Sequence, residues 1–378
     1  MRGRRREEYM GPMMGHSGGE ERELGVSGKG NPDIIGESAR ASFSGLLCDG
    51  RWRGSHGIGR FATEALSRLP GARILEGGAG FFLSPLDPLW IDFRIARERP
   101  RAYFTPGFNP PFFSKVPLVL TLHDLIHLKD PREGGRLKGL YYEYVIKPAL
   151  QRAVRVLTVS EFSRGEILSW AKIPEERIAV VGNGVSPAFS PEGPVYLPGF
   201  PYFLYVGNCK PHKNLPLLFR ALSRSRLPEE FRLLLVGAPD SATDREIRKW
   251  RVENRVVYAG SVEEKDLPMV YRGAAALLFP SLIEGFGLPV LEAMACGCTV
   301  LSSRIPAVEE VAGETVFYFS PDDPNSWAGG LEMVARDGSP EIDTKKKEAS
   351  KRAFLFSWER VGERLRRILQ SAMEESFQ

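Results

Sequence analysis

"FPSLIEGFGLPVLEAMACGCTVLSS", residues 279–303, leads from the end of one short apolar run to another through a glycine turn and a helix-like segment. The flanking runs, "AAALLFP" (274–280) and "CTVLSS" (298–303), are short and apolar and read as buried strands. Between them, Pro289 suits the first position of a helix, which makes Leu288 its cap, and Gly285 and Gly287 permit the close turn before it. A strand, a helix and a second strand in succession are the repeating unit of a parallel α/β sheet.

The same alternation extends in both directions. Further apolar runs lie at 43–49, 116–122, 154–160, 177–183, 202–207, 231–237, 254–260 and 315–320, mostly bounded by Gly, Pro, Asp or Asn. The stretch "SPAFSPEGPVYLPGFP" (186–201) holds five prolines and two glycines in sixteen residues, so it breaks regular structure and reads as a linker. After residue 343 the pattern turns helical, and Trp358, Val361, Leu365 and Ile368 recur at helical spacing. The expected fold is therefore α/β, with two Rossmann-like domains facing each other over residues 42–190 and 201–355. Residues 191–200 connect them, and a terminal helix over 356–378 returns to the first domain.

At 378 residues, two domains of ordinary size are expected. With 43% hydrophobic and 26% charged residues, and no apolar run near the roughly 18 needed to cross a bilayer, the composition is that of a globular protein with at most peripheral membrane contact. Four cysteines (Cys48, Cys209, Cys296, Cys298) without zinc-ligand spacing suggest reduced thiols and a cytoplasmic setting. Residues 1–41 mix Arg, Glu and Gly without periodicity or a signal-peptide core and read as a disordered tail. Lys and Arg outnumber Asp and Glu by 20 to 15 over residues 42–200, and are outnumbered 18 to 21 over 201–350. A basic first half favours anionic partners such as phosphates, lipid headgroups or nucleic acid, and the expected setting is the cytoplasm with peripheral contact at the inner face of the membrane. Nucleic acid is not an expected partner.

Ligands of open α/β sheets bind beyond the carboxyl ends of the strands, so residues just after each run carry the functional signal. After the first run, Gly54, Gly57 and Gly59 precede a helical run expected to start near Arg60, a setting that lets backbone amides approach phosphate. His123 and Asp124 end the run at 116–122, and a histidine there can donate to an oxygen or move a proton near neutrality. In "GNCKPHKNL" (207–215), Lys210 and Lys213 flank His212 ahead of a helix that Asn214 is placed to cap. Two lysines at a helix N-terminus oppose its dipole and call for an anion. Glu284 stands before the helix of the opening stretch and Glu292 about one turn inside it. Two acids beside an anion site suit the hydroxyls of ribose and sugar around a diphosphate.

These residues together resemble a known family. "EGFGLPVLEAMACG" resembles the E-x7-E donor signature of retaining glycosyltransferases of family 4, which have the GT-B fold. "GIGRF" (57–61), "LTLHDL" (120–125), "VSEFSRGEI" (159–167), "GNGV" (182–185), "VGNCKPHKNL" (206–215) and "FSWERV" (356–361) match in order and spacing. The resemblance implies a nucleotide-sugar donor held by the second domain and an acceptor held by the first. It assigns Glu284 to the transferred sugar and Glu292 to the ribose. The amides of Gly285, Phe286, Gly287 and Leu288 fall to sugar or phosphate oxygens. It places Lys213 on the diphosphate with help from the Gly57 to Gly59 turn, and His123 near the sugar O6 or the reaction centre. Relatives carry arginine where this chain has Asn208, and Lys210 is the offset candidate for that charge.

The implied chemistry is hexosyl transfer with retention, without metal or other cofactor, catalysed by His123, Lys213 and Glu284. Resemblance to enzymes of surface-polysaccharide assembly points to GDP-mannose as donor, with UDP- and dTDP-sugars as alternatives, and to a saccharide or lipid-linked saccharide acceptor. A nucleotide-sugar epimerase of the same fold and a non-catalytic nucleotide-binding protein are the competing readings. The aromatic loop "YFTPGFNPPFF" (103–113) is a candidate acceptor wall or a packed loop.

Overall fold

The structure is a computed structural model describing residues 43–375 apart from Ala79, Phe81 and Asp337; the expected tail over 1–41 lies outside the described residues. Two parallel sheets of six strands organise the chain. The first contains β1 (Leu46–Asp49), β2 (Arg73–Leu75), β3 (Ala102–Thr105), β4 (Leu118–Thr121), β5 (Arg155–Thr158) and β6 (Ile178–Val180). The second contains β7 (Tyr202–Val206), β8 (Arg232–Val236), β9 (Val256–Gly260), β10 (Ala276–Phe279), β11 (Val300–Ser303) and β12 (Phe317–Phe319). Every residue of β1, β3, β4, β10 and β11 is buried, as expected for strands covered by helices on both faces.

The sheets run β2-β1-β3-β4-β5-β6 and β12-β11-β10-β7-β8-β9. The second has the strand order of dinucleotide-binding folds, and the first has the flavodoxin-like order with one more strand. Strand order reverses between β1 and β3 in the first sheet and between β7 and β10 in the second. The loop after β7 holds Lys210 and Lys213, and the segment after β10 holds Glu284 in its loop and Glu292 in the helix that follows.

Strands β2 and β3 lie outside the runs expected from sequence. β2 is a three-residue edge strand, too short to show a period. β3 claims the start of the supposed aromatic loop, so Tyr103 and Phe104 are core residues, while Phe113 at the far end is exposed. The segment 186–201 is irregular but packed: Phe189 lies against Tyr271, and Arg272 donates to the carbonyls of Ser190 and Pro194.

The terminal helix, Trp358–Glu374, returns to the first sheet. Trp358, Val361, Leu365, Leu369 and Met373 pack with Phe43, Leu46, Phe61 and Phe104, and Arg364 donates to the Val181 carbonyl at 3.0 Å. Its entry is fixed by the Val185 amide, which donates to Phe356 O at 3.0 Å. The helix thus straps the second domain to the core of the first.

Candidate active site

A cleft of about 680 Å³ opens between the carboxyl ends of the two sheets. It is lined by Gly57, His123, Asn208, Lys210, Lys213, Glu284, Gly285, Phe286, Gly287, Leu288 and Glu292, which brings together all but one of the expected site residues. The exception is Gly59. The helix begins at Gly57, not near Arg60, because the His56 ring accepts the Gly59 amide at 3.1 Å as an N-cap. Gly59 is buried in that first turn, where a β-carbon would lie 2.6 Å from Gly54 O, so its smallness serves packing.

The loop after β10 is shaped for close approach. Gly287, at φ 102°, caps the Leu288–Ala295 helix, so Leu288 is its first residue and not its cap, and Pro289 follows. Val290 is the first residue here whose amide bonds back into this turn, to Gly287 O at 3.0 Å, and the earlier amides are left without an intrahelical acceptor. Gly285 abuts the first domain: a β-carbon there would lie 2.9 Å from His123 O and 3.0 Å from Asp124 Cβ. Its carbonyl accepts the Ser160 hydroxyl at 2.6 Å, which ties the loop after β10 to the start of the Glu161–Ala171 helix.

Lys210, Lys213, Glu284 and Glu292 each have a charged partner. Lys213 Nζ donates to Glu284 Oε1 at 2.7 Å, with both side chains largely buried. Lys210 Nζ lies 3.2 Å from Glu133 Oε2, and His212 Nδ1 is 2.9 Å from Glu133 Oε1. Burial works to raise the Glu133 carboxyl, but His212 and Lys210 outweigh it and hold the group below the ordinary range. Glu133 belongs to the Pro131–Tyr141 helix of the first domain, so this cluster bridges the two domains.

Glu292 is 3% exposed and bound on both oxygens: the Arg60 guanidinium meets Oε1 and the Tyr271 hydroxyl donates to Oε2 at 2.7 Å. Burial pushes its carboxyl above the ordinary range, against the opposing pull of Arg60 and Tyr271. It lies beyond the first turn of its helix, so dipole complementarity does not explain it.

Two expected roles change on inspection. Asn214 holds the N-cap position of the helix that begins at Leu215, but its side chain makes no cap bond; it takes a left-handed conformation and its amide donates to the carbonyls of Pro280 and Pro321. Asn208 folds its side-chain oxygen onto the Lys210 amide at 3.2 Å and so shapes the loop. The His123 ring is held by Pro106 O, 2.8 Å from Nε2, and stacks edge-on against Phe61. Because a carbonyl only accepts, Nε2 carries the hydrogen. Burial pushes the ring's pKa down to about 4, so it is neutral near pH 7 with Nδ1 an acceptor. A proton shuttle near neutrality is not what this environment favours.

Sequence reasoning missed Arg60, Tyr271 and Glu133. Arg60 follows directly on the glycine turn that was recognised, so position alone could have drawn attention to it. Tyr271 and Glu133 lie in ordinary helical runs far along the chain from their partners, and no local signal marks them.

Known proteins resemble this chain in sequence and in fold. Residues 56–189 match the model for Glycosyltransferase Family 4, and residues 200–337 match the model for Glycosyl transferases group 1. The chain is 29% identical to O-antigen chain mannosyltransferase B of Escherichia coli, across 80% of this chain and 93% of that protein. It is 28% identical to O-antigen chain mannosyltransferase RfbU of Salmonella typhimurium, across 58% of this chain and 62% of that one. Among solved structures, sucrose-phosphate synthase from Thermosynechococcus elongatus superposes with a TM-score of 0.71 at 19% identity, covering 86% of this chain and 98% of that one. Anabaena HepE, solved with UDP-glucose, superposes with a TM-score of 0.70 at 18% identity, over 86% and 99% of the two chains. The two facing sheets are a GT-B fold, and the chain belongs to the group 1 glycosyltransferases.

Proposed function

We propose that the protein is a retaining hexosyltransferase of surface-polysaccharide assembly, moving mannose from GDP-mannose to a saccharide or lipid-linked saccharide. The observation that carries this reading is the cleft itself. Lys213, Glu284 and the open N-terminus of the Leu288–Ala295 helix face one space between two α/β domains, with Glu292 deeper along the same wall. Lys213 and the helix amides supply charge and donors for a departing diphosphate, and the carboxylates accept from the sugar and the ribose. Such preorganised groups can stabilise the leaving group without metal. The acceptor hydroxyl then attacks on the face the diphosphate leaves, and its proton passes to a phosphate oxygen.

Mannose is favoured by the names of the E. coli and Salmonella relatives, whereas the HepE neighbour was solved with UDP-glucose, so the donor base is the variable to test. None of the described helices is long and apolar enough to cross a membrane. We place the protein in the cytoplasm with peripheral contact at the membrane's inner face. Leu137, Leu140 and Tyr144, exposed near Lys138 on the first domain, support that contact. Incubating the protein with GDP-mannose, UDP-glucose or dTDP-rhamnose and a lipid-linked saccharide extract, with excess EDTA, tests the whole reading. Transfer from GDP-mannose with the α-configuration kept in the product is expected. A β-product, or transfer only after magnesium or manganese is restored, would overturn the retaining or metal-independent part.

A further inference from the structure

The "GIGRF" turn contributes more to the cleft than its glycines. Arg60 stands in the first turn of the Gly57–Ser67 helix of the first domain and crosses the cleft to the carboxylate of Glu292 in the second. We infer that Arg60 is a positioning residue for nucleotide binding, holding the Glu292 carboxylate aimed at the ribose and thereby joining donor binding to the apposition of the two domains. The inference rests on the assignment of Glu292 to the ribose.

A carboxylate that accepts from two ribose hydroxyls must be ionised, because protonation turns one oxygen into a donor. Burial works against ionisation unless a cation is near. The groups facing Glu292 are Arg60 from the Gly57–Ser67 helix, Tyr271 from the Leu267–Gly273 helix, Glu264 from the preceding loop and Cys296 on its own helix. Glu64, on the same helix as Arg60, pairs with Arg68. Arg60 is therefore the cation of this set, against the two carboxylates of Glu264 and Glu292. Tyr271 orients Oε2 but brings no charge.

A bracing role alone accounts poorly for the geometry. Arg60 Nε is buried without a hydrogen-bond partner and its nearest acid there, Glu264, is 3.6 Å away, so the guanidinium is held chiefly through Glu292. An arginine serving only to brace an interface would be expected to have its buried donors satisfied. The pair also lies on the wall of the cleft, where a ligand reaches it.

The test is calorimetric binding of GDP and UDP from pH 6 to 9 to the wild type, R60K, R60M, E292Q and the R60M/E292Q double variant, each checked for folding by circular dichroism. R60M should bind about tenfold more weakly at pH 7, the order expected for a lost charge-assisted contact. Without Arg60 the carboxyl ionises only at higher pH, so that loss should shrink as pH rises. R60K should keep most of the affinity, and R60M should add less than about twofold in the E292Q background, since coupled residues are not additive. Wild-type affinity in R60M, or a loss independent of pH and undiminished in E292Q, would overturn the inference. If E292Q itself binds like the wild type, the ribose assignment has failed. Weakened binding in E292Q with none in R60M removes the role of Arg60 alone.

Discussion

Lys213 and Glu284 are 2.7 Å apart, so the cation proposed for the diphosphate and the carboxylate proposed for the sugar hold each other when no donor is bound. On that proposal, a donor gives each a new partner, and Lys213 faces the charge that grows as the bond to the sugar breaks. Lys213→Ala should lower kcat by about 10²-fold or more, the usual cost of removing a preorganised donor to developing charge. Lys210 is occupied by Glu133 of the other domain, so Lys210→Ala should cost less; steady-state kinetics on both variants decides the order. His123 gives a pH signature. Its pKa is about 4 when folded and near 6.5 when unfolded, so the unfolded chain takes the proton first as pH falls. The contribution is fully present above pH 6.5 and lost as pH falls toward 4, at most about 3 kcal/mol. Thermal unfolding of the wild type should weaken more steeply over that window than that of His123→Gln; parallel curves would remove His123 as the cause.

The elements show which contacts the sequence could announce. Trp358, Val361, Leu365 and Ile368 recur at helical spacing, and the helix they form packs on the first sheet. Leu365→Ala should destabilise the protein by about 2–5 kcal/mol, read by denaturant unfolding, because Leu365 is fully buried in the cluster that joins the terminal helix to the core of the first domain. A loss under about 1 kcal/mol would mean that the strap is dispensable. The long apolar runs that became β4, β5, β7, β8 and β10 were legible because each is covered on both faces and so contains few polar residues. β2 and β3 were not, since one is three residues long and the other runs into a proline- and aromatic-rich loop. Helix starts slipped by one to three residues for a local reason. His56 and Gly287 do the capping, and neither is the Ser, Thr, Asp or Asn that usually marks a cap. Within the site, the glutamates, lysines and glycine turn were readable because they cluster in short stretches that follow directly on strands. Arg60, Tyr271 and Glu133 act through partners 21 to 232 residues away, a separation local sequence patterns do not carry.

Across the whole molecule, the two domains meet through polar contacts in and around the cleft. Ser160 holds the Gly285 carbonyl, Glu310 accepts the amides of Glu161 and Phe162, Arg60 holds Glu292, and Glu133 holds His212. On the proposed assignment, donor binding favours the apposed domains, because Arg60 of the first holds the Glu292 that reads the ribose in the second. The central claim is that Glu284 and Glu292 read different halves of one nucleotide sugar. A contact to the ribose need not strengthen in the transition state, so Glu292→Gln should mainly raise the donor KM, whereas Glu284→Gln should mainly lower kcat. The most direct measurement is calorimetric affinity for the nucleoside diphosphate of the active donor, which keeps the ribose and lacks the sugar. The account predicts weaker binding in Glu292→Gln and unchanged binding in Glu284→Gln; equal losses in both would contradict it, showing that the two carboxylates support the loop together and do not read the donor separately.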